Sequence, residues 1–491
     1  MKLFCFYFNI KLTLYNSIFC KKLKNKCLDN FYNILHIKTN TMSSTDKISE
    51  NVDQVVTPWA VTSQAGIDYM KLINQFGSQP IDGDLIQRIE RLTNMRVHRF
   101  LRRGLFFSQR DLSILLDRFE AGKKIYLYTG RGPSSESMHL GHMVPFEFTK
   151  YLQEAFGAIL VIQMSDDEKF YFKRGHPLEH FTALGHENVK DIIAVGFNPT
   201  KTYIFNNSKE ITENVGLMRN VIFMNENTKG STIKAIFGLS TEENTVGQLS
   251  WPVYQSVPAY ASSFAKLLPS DAYCLVPMAI DQDPYFRLAR DFAGDKKKMG
   301  YLKPAEIHSE FLPALAGVEN KMSSTAGPDA NYVPPVIFLT DTPKQIKDKI
   351  NKHAFSGGGR TLEEHRENGG NLKKDIPYNY LTYFLEDDDQ LEHIAKEYSS
   401  GRMMTSEIKT IMINVIQQYV ANHQLEKAKV TDRVIDNFYD YNKEFDNSLP
   451  IRETIELHSQ EEYNKMGINY NRYFESLNVT VDSKESSASE N

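Results

Sequence analysis

The spacing of apolar residues changes character along the chain, and each change marks a different element. Asp84 to Leu92 places apolar side chains three and four residues apart, which predicts an amphipathic helix. Ser108, with Asp111 three residues on, predicts the cap of a helix that continues through the apolar positions from Leu112. Lys124–Thr129 reads as a short strand and ends in the loop signal Gly130-Arg131-Gly132-Pro133. Pro145–Phe156 predicts a helix with polar and aromatic faces. Ala158–Met164 is apolar throughout except at Gln163, the pattern of a strand buried on both faces. Strand, helix and strand in this order predict a βαβ unit, and therefore a parallel sheet. Tyr273–Ile280 predicts another central strand, ending in the polar cluster Asp281-Gln282-Asp283.

Beyond residue 345 the strand signal fades. Helical spacing predicts helices over Pro343–Phe355, Tyr378–Leu385, Asp389–Ser399 and Thr405–His423. The fold class expected is α/β: a Rossmann-like parallel-sheet domain followed by an α-helical domain. The boundaries expected are 1–57 for a leader and flexible N-terminal segment, 58–345 for the α/β domain, 346–450 for the helical domain and 451–491 for an acidic, Ser-rich, disordered tail. Residues 1–41 stand apart. Asp29 is their only acid, and they contain no arginine. They fit a mitochondrial presequence in being basic, or a low-complexity extension upstream of Met42.

Composition narrows the class without naming it. With 41% hydrophobic and 24% charged residues, the 491-residue chain has the make-up of a globular protein with a sizeable core. A net charge of -4 gives no bulk attraction to nucleic acid, although a local basic face can still follow phosphates. Three of the four cysteines (Cys5, Cys20, Cys27) precede the globular part, leaving Cys274, so a disulfide framework is excluded and a reducing compartment is expected. There is no P-loop. Gly130-Arg131-Gly132 lacks the third glycine of a dinucleotide site, and no Cys/His spacing suits zinc.

Two motifs carry chemistry. His139-Leu140-Gly141-His142 follows the first strand and its glycine loop, where a helix begins. A helix N-terminus there offers free N–H groups and two imidazoles to a phosphate, and Gly141 lets a nucleotide come close to the backbone. Read alone, it is equally a chance loop sequence. Lys321-Met322-Ser323-Ser324-Thr325 lies in a Gly/Pro-rich surround. A lysine on a mobile loop can neutralise phosphates when the loop closes; alone, it reads as an exposed polar loop.

Together these motifs resemble the class I aminoacyl-tRNA synthetases. Tyr128–Glu136, Val161–Lys169, Ala279–Arg287 and His353–Gly358 are similar to the eukaryotic-type tryptophanyl-tRNA synthetases, over about Trp59 to Phe445. The resemblance implies a tryptophan–tRNA ligase: tryptophan is activated by ATP to tryptophanyl-AMP and then passed to tRNA(Trp). The alternatives are a tyrosine–tRNA ligase or a non-catalytic binding protein of synthetase ancestry. It implies that the catalytic residues are His139, His142 and Lys321. ATP would be bound by Gly130, Arg131, His139, Gly141, His142, Lys321, Met322 and Ser323, and tryptophan by Tyr128, Gln163, Glu168, Gln255 and Gln282. Tyr128 and Gln163 would take the indole N–H, Glu168 and Gln282 the α-amino group, and Gln255 the carboxylate end. Thr325 and Ser324 depart from the fuller loop motif, but keep hydroxyls.

The same resemblance makes 58–345 the catalytic domain, with a dimerisation insertion near 170–270, and 346–450 the anticodon-binding domain. Lys344, Lys347, Lys349, Lys352, Lys373 and Lys374 could follow tRNA phosphates there. A homodimer is expected. Magnesium is expected as a companion of ATP held mainly by phosphates, with no protein metal site and no tightly bound cofactor. Glu386–Asp389 reads as a solvated cluster at a helix start. No membrane partner is expected. The location expected is the cytoplasm, or the mitochondrion if residues 1–41 act as a presequence.

Overall fold

The structure, a computed structural model, describes residues 54–59, 61–63, 66–322, 335–450 and 452–466. Its strands in chain order are β1 (Val55–Val56), β2 (Val61–Thr62), β3 (Gln79–Pro80), β4 (Phe106–Arg110), β5 (Ile125–Arg131), β6 (Ile159–Met164), β7 (Thr202–Asn206), β8 (Tyr273–Ala279), β9 (Ala305–Ser309), β10 (Pro313–Ala314) and β11 (Gly317–Lys321). Seven form one sheet in the order β3-β4-β9-β8-β5-β6-β7. The five from β9 to β7 are parallel, and β3 and β4 extend the edge antiparallel. The chain builds outward from β5 through β6 to β7, then returns to place β8 and β9 on the other side. That is a Rossmann-like order, and its switch point lies between β5 and β8.

The predicted runs form these strands because the sheet is covered on both faces. Leu127, Leu160 and Ile162 enter one buried cluster, while Tyr126, Tyr128 and Val161 enter another on the opposite face. The predicted helices are present as Gly83–Thr93, Leu140–Phe156, Pro343–His353, Ile376–Phe384, Asp388–Ser399 and Thr405–Lys427. The last packs on Pro343–His353, on Ile376–Phe384 and on helix Leu178–Ala194 of the α/β part. Among the described residues, no helix is long and apolar enough to cross a membrane.

Four expectations are corrected. Ser108 caps nothing: it is buried in β4 with its hydroxyl 2.8 Å from His308 Nδ1, and the helix Leu112–Glu120 starts at Asp111, which has a positive φ of 54°. Val55–Val56, placed in the flexible segment, pairs with β2. The tail from 451 is not disordered over 452–466. There, Gln460–Lys465 forms a helix on Gly83–Thr93, Tyr463 is fully buried with its hydroxyl on Glu90, and His458 Nδ1 lies 2.8 Å from the same carboxylate. Glu386–Asp389 is not simply solvated: Asp388 accepts from Arg102 and Arg103 at 2.7 Å each, and Glu386 pairs with Arg99. Residues 1–41 and 467–491, Ser323, Ser324 and Thr325 lie outside the described residues.

Candidate active site

The parallel strands part at the β5/β8 seam, and a cavity of about 360 Å³ opens at their carboxyl ends. It gathers every predicted site residue apart from Ser323. The register explains two of them. Tyr128 pairs with Val161, so Gln163, two residues further on, points to the same face as Tyr128. Helix Val246–Ser256 covers that face. Tyr128 Oη lies 2.7 Å from Gln163 Oε1 and 2.9 Å from the Gln255 carbonyl. One phenolic proton can serve only one of these acceptors at a time. Gln163 Nε2 donates to Asn207 Oδ1 (2.8 Å) and to the Tyr254 carbonyl (3.2 Å), so a buried amide inside an apolar strand is satisfied.

The other end of the cavity is cationic. Helix Leu140–Phe156 begins just past β5, with His139 as its extended N-cap. The rings of His139 and His142 stack at 3.6 Å, and the His139 backbone N–H donates to His142 Nδ1. A Cβ on Gly141 would stand 3.2 Å from the His139 ring and 3.5 Å from Met322 Cβ, so a side chain there would press on both motifs. Burial, with Arg131 and Lys321 nearby, holds His139 down at about 3; the same causes hold His142 well below its usual value. Both rings are therefore neutral at pH 7. Burial lowers Arg131 to about 10, which leaves it charged. Arg131 Nη2 and His139 Nδ1 are both buried without a hydrogen-bond partner.

Two predicted cations and acids are already paired. Lys321 Nζ reaches Asp281 Oδ2 at 2.7 Å, and Glu168 accepts from Lys169 (2.8 Å) and from Ser165 (3.1 Å). Gln255 Nε2 faces Gln282 Oε1 at 3.5 Å. Met322 donates its backbone N–H to the Leu312 carbonyl at 2.9 Å.

Comparison with known proteins identifies the family. The family described as class I tRNA synthetases (W and Y) matches residues 120–421. The cytoplasmic tryptophan–tRNA ligase of Mus musculus is 51% identical over 403 residues, 81% of each chain. That of Dictyostelium discoideum is 48% identical over 82% of this chain and 98% of its own. The chain belongs to the tryptophan–tRNA ligases. The crystal structure of the Plasmodium falciparum tryptophanyl-tRNA synthetase superposes with a TM-score of 0.69 at 48% identity, covering 77% of this chain and 98% of that one. The relatives' names also separate the tryptophan members from the tyrosine members that share the family description.

For a tryptophan–tRNA ligase, several residues at the site escaped the sequence reading. Asp281 holds Lys321, and Lys169 holds Glu168. Both lie within the motifs, but neither stood out as a partner. Asn188, from a helix with no motif of its own, accepts from Arg131. Behind Gln282, Asp283, Glu306 and His308 are buried closely enough to hold a metal ion. The cations beside them are guanidinium groups: Arg110 Nε lies 2.8 Å from Asp283 and 3.2 Å from Glu306, and Arg287 Nε 2.9 Å from Asp283. No local spacing announces this cluster, because β9 and the helix after β8 meet only in the fold. In the helical region Lys349 is taken by Asp341 at 2.6 Å, which removes it from the residues that could follow tRNA; Lys344, Lys347, Lys352, Lys373 and Lys374 are exposed.

Proposed function

We propose that the protein activates L-tryptophan with ATP and transfers it to tRNA(Trp). In the first step the tryptophan carboxylate attacks the α-phosphate, and pyrophosphate leaves. In the second, a terminal ribose hydroxyl of tRNA attacks the activated carbonyl, the carbonyl–phosphate bond breaks, and AMP leaves. Neither step requires a strong protein acid or base. Positioning and charge stabilisation carry them.

The observation that carries this reading is the pair of buried, unpartnered nitrogens, Arg131 Nη2 and His139 Nδ1, in one cavity with Tyr128 and Gln163. Orphaned buried polar groups are costly unless a ligand meets them. Phosphate oxygens meet both. His139 and His142 donate as neutral imidazoles, and Arg131 supplies charge. Lys321 adds its charge when it leaves Asp281, with Met322 and Ser323 holding the loop, and Gly130 and Gly141 keep the backbone open to the nucleotide. At the apolar end the indole N–H goes to Gln163 and Tyr128, once the phenolic proton has turned to the Gln255 carbonyl. Glu168 and Gln282 take the α-amino group, and Gln255 faces the carboxylate. A site that pairs the indole donor rejects analogues lacking it by roughly 10⁴–10⁵ at most, and needs no editing step. Magnesium enters with ATP and stays on its phosphates, because the carboxylates beside the cations are already engaged by Lys321 and Lys169.

ATP–pyrophosphate exchange, run with tryptophan, with tyrosine and with no amino acid, tests the reading. Exchange that depends on tryptophan supports it, and exchange with tyrosine alone overturns the pocket assignment. A homodimer is supported by Val215, Met218 and Ile222, which leave one face of helix Val215–Asn227 apolar and exposed. The helical region from 346 to 450 is proposed as the anticodon-binding part. A cytoplasmic location is supported by the relatives' names; a fluorescent fusion confined to mitochondria would overturn it.

A further inference from the structure

Asn188 is fully buried on helix Leu178–Ala194, and its amide is completely used. Nδ2 donates to the Ser135 carbonyl at 2.8 Å and to the Glu136 carbonyl at 3.0 Å. Oδ1 accepts from Arg131 Nε at 3.2 Å. Two donors and one acceptor in this arrangement suit a primary amide. A carboxylate would repel the two carbonyls, and an apolar side chain would strand all three groups. The effect is directional. The Nε edge of Arg131 is fastened, while Nη2 remains buried and unpartnered at the cavity. The loop from Ser135 to Glu136, which leads from β5 to the helix of His139 and His142, is fixed by the same amide.

One turn further along the same helix face, Asp191 is also fully buried. His423 Nε2 lies 3.0 Å from its Oδ1, and Lys427 Nζ donates to its Oδ2 at 2.9 Å. Both partners belong to helix Thr405–Lys427 of the helical region. The face that holds Arg131 is therefore pinned, three residues on, to the part of the protein proposed to read tRNA.

We propose that Asn188 is a positioning residue that aims Arg131 at the polyphosphate of ATP, and that Asp191 sets this aim by seating its helix against Thr405–Lys427. The proposal rests on the reading that Arg131 meets phosphate. Loss of a hydrogen bond to a charged group predicts that Asn188→Ala raises the ATP KM about ten- to a hundredfold in pyrophosphate exchange. The tryptophan dissociation constant stays as it is. A merely structural defect would lower the active fraction and tryptophan binding without a selective rise in ATP KM.

The deciding measurement is a double-mutant cycle with Arg131→Ala. If Arg131→Ala raises the ATP KM and Asn188→Ala adds nothing on top of it, the two residues act as one, as proposed. If Arg131→Ala has its effect but Asn188→Ala has none, or multiplies it, the proposal fails while the Arg131 reading stands. If Arg131→Ala leaves the ATP KM unchanged, the reading itself fails, and the proposal with it. Should Asn188→Ala not fold, Asn188→Ser, which keeps a small hydroxyl for the loop carbonyls and is too short to hold Arg131 Nε, runs through the same cycle. Asp191→Asn is expected to raise the ATP KM only when Arg131 is present; an unchanged value overturns the part assigned to Asp191.

Discussion

Replacing Gln163 with alanine separates the two ends of the cavity. Gln163 is 1% exposed and makes three hydrogen bonds, one through its oxygen and two through its nitrogen. Without it, Tyr128 keeps a partner by turning its proton to the Gln255 carbonyl at 2.9 Å. A bound indole N–H loses its amide acceptor in a site with little water. An unmatched buried polar group costs about 1–3 kcal/mol. At about 1.4 kcal/mol per factor of ten, the tryptophan KM rises roughly five- to 150-fold in Gln163→Ala, while the ATP KM holds because no phosphate-facing residue has moved. The assay is pyrophosphate exchange with each substrate varied in turn. A second arm uses a tryptophan analogue with sulfur in place of the ring N–H. The wild type should discriminate strongly against it, and Gln163→Ala only weakly. An unchanged tryptophan KM, or equal discrimination by both proteins, refutes the reasoning.

The depressed pKa of His139 predicts a stability effect with a definite sign. Its folded value, about 3, lies below the unfolded 6.5, so its contribution is complete above pH 6.5 and is lost as pH falls from there toward 3. At pH 5.5 the loss is about 1.4 kcal/mol. His139→Gln should therefore lose less stability than the wild type between pH 7.5 and 5.5, by that amount in urea unfolding; equal losses would sink the idea. Tyr463→Ala empties a fully buried aromatic site and should lower the unfolding free energy by about 3–5 kcal/mol, leaving pyrophosphate exchange at 25 °C intact. Ile222→Lys places a charge on the exposed apolar face of Val215–Asn227 and should yield monomers by light scattering; an unchanged mass would move the dimer interface elsewhere.

The central sheet was readable where burial on both faces leaves an unbroken apolar run, as in β6. It was not readable in β9, whose Glu306 and His308 are polar yet fully buried, because their partners Arg110 and Asp283 come from other elements. Ser108 misled for the same reason. Its hydroxyl answers to His308, far away in sequence, rather than to the helix that follows. In the site, Tyr128, Gln163, the two histidines and Lys321 stand inside recognisable motifs. Asn188 does not, since its meaning is made by two carbonyls and a guanidinium that the fold brings to it. Composition marked residues 452–466 as tail, but a single aromatic side chain, Tyr463, with a cavity to fill outweighs the charges around it.

The closure of Glu90 by Tyr463 has a consequence in time. The two residues are 373 positions apart. At roughly 5–20 residues per second, a ribosome needs about 20–75 s to travel between them. For that interval the nascent α/β part carries a carboxyl group that His458 and Tyr463 have yet to meet. Helix Gly83–Thr93 thus receives this partner only after 373 further residues have been made beyond Glu90, and a chain interrupted before residue 463 is released without it.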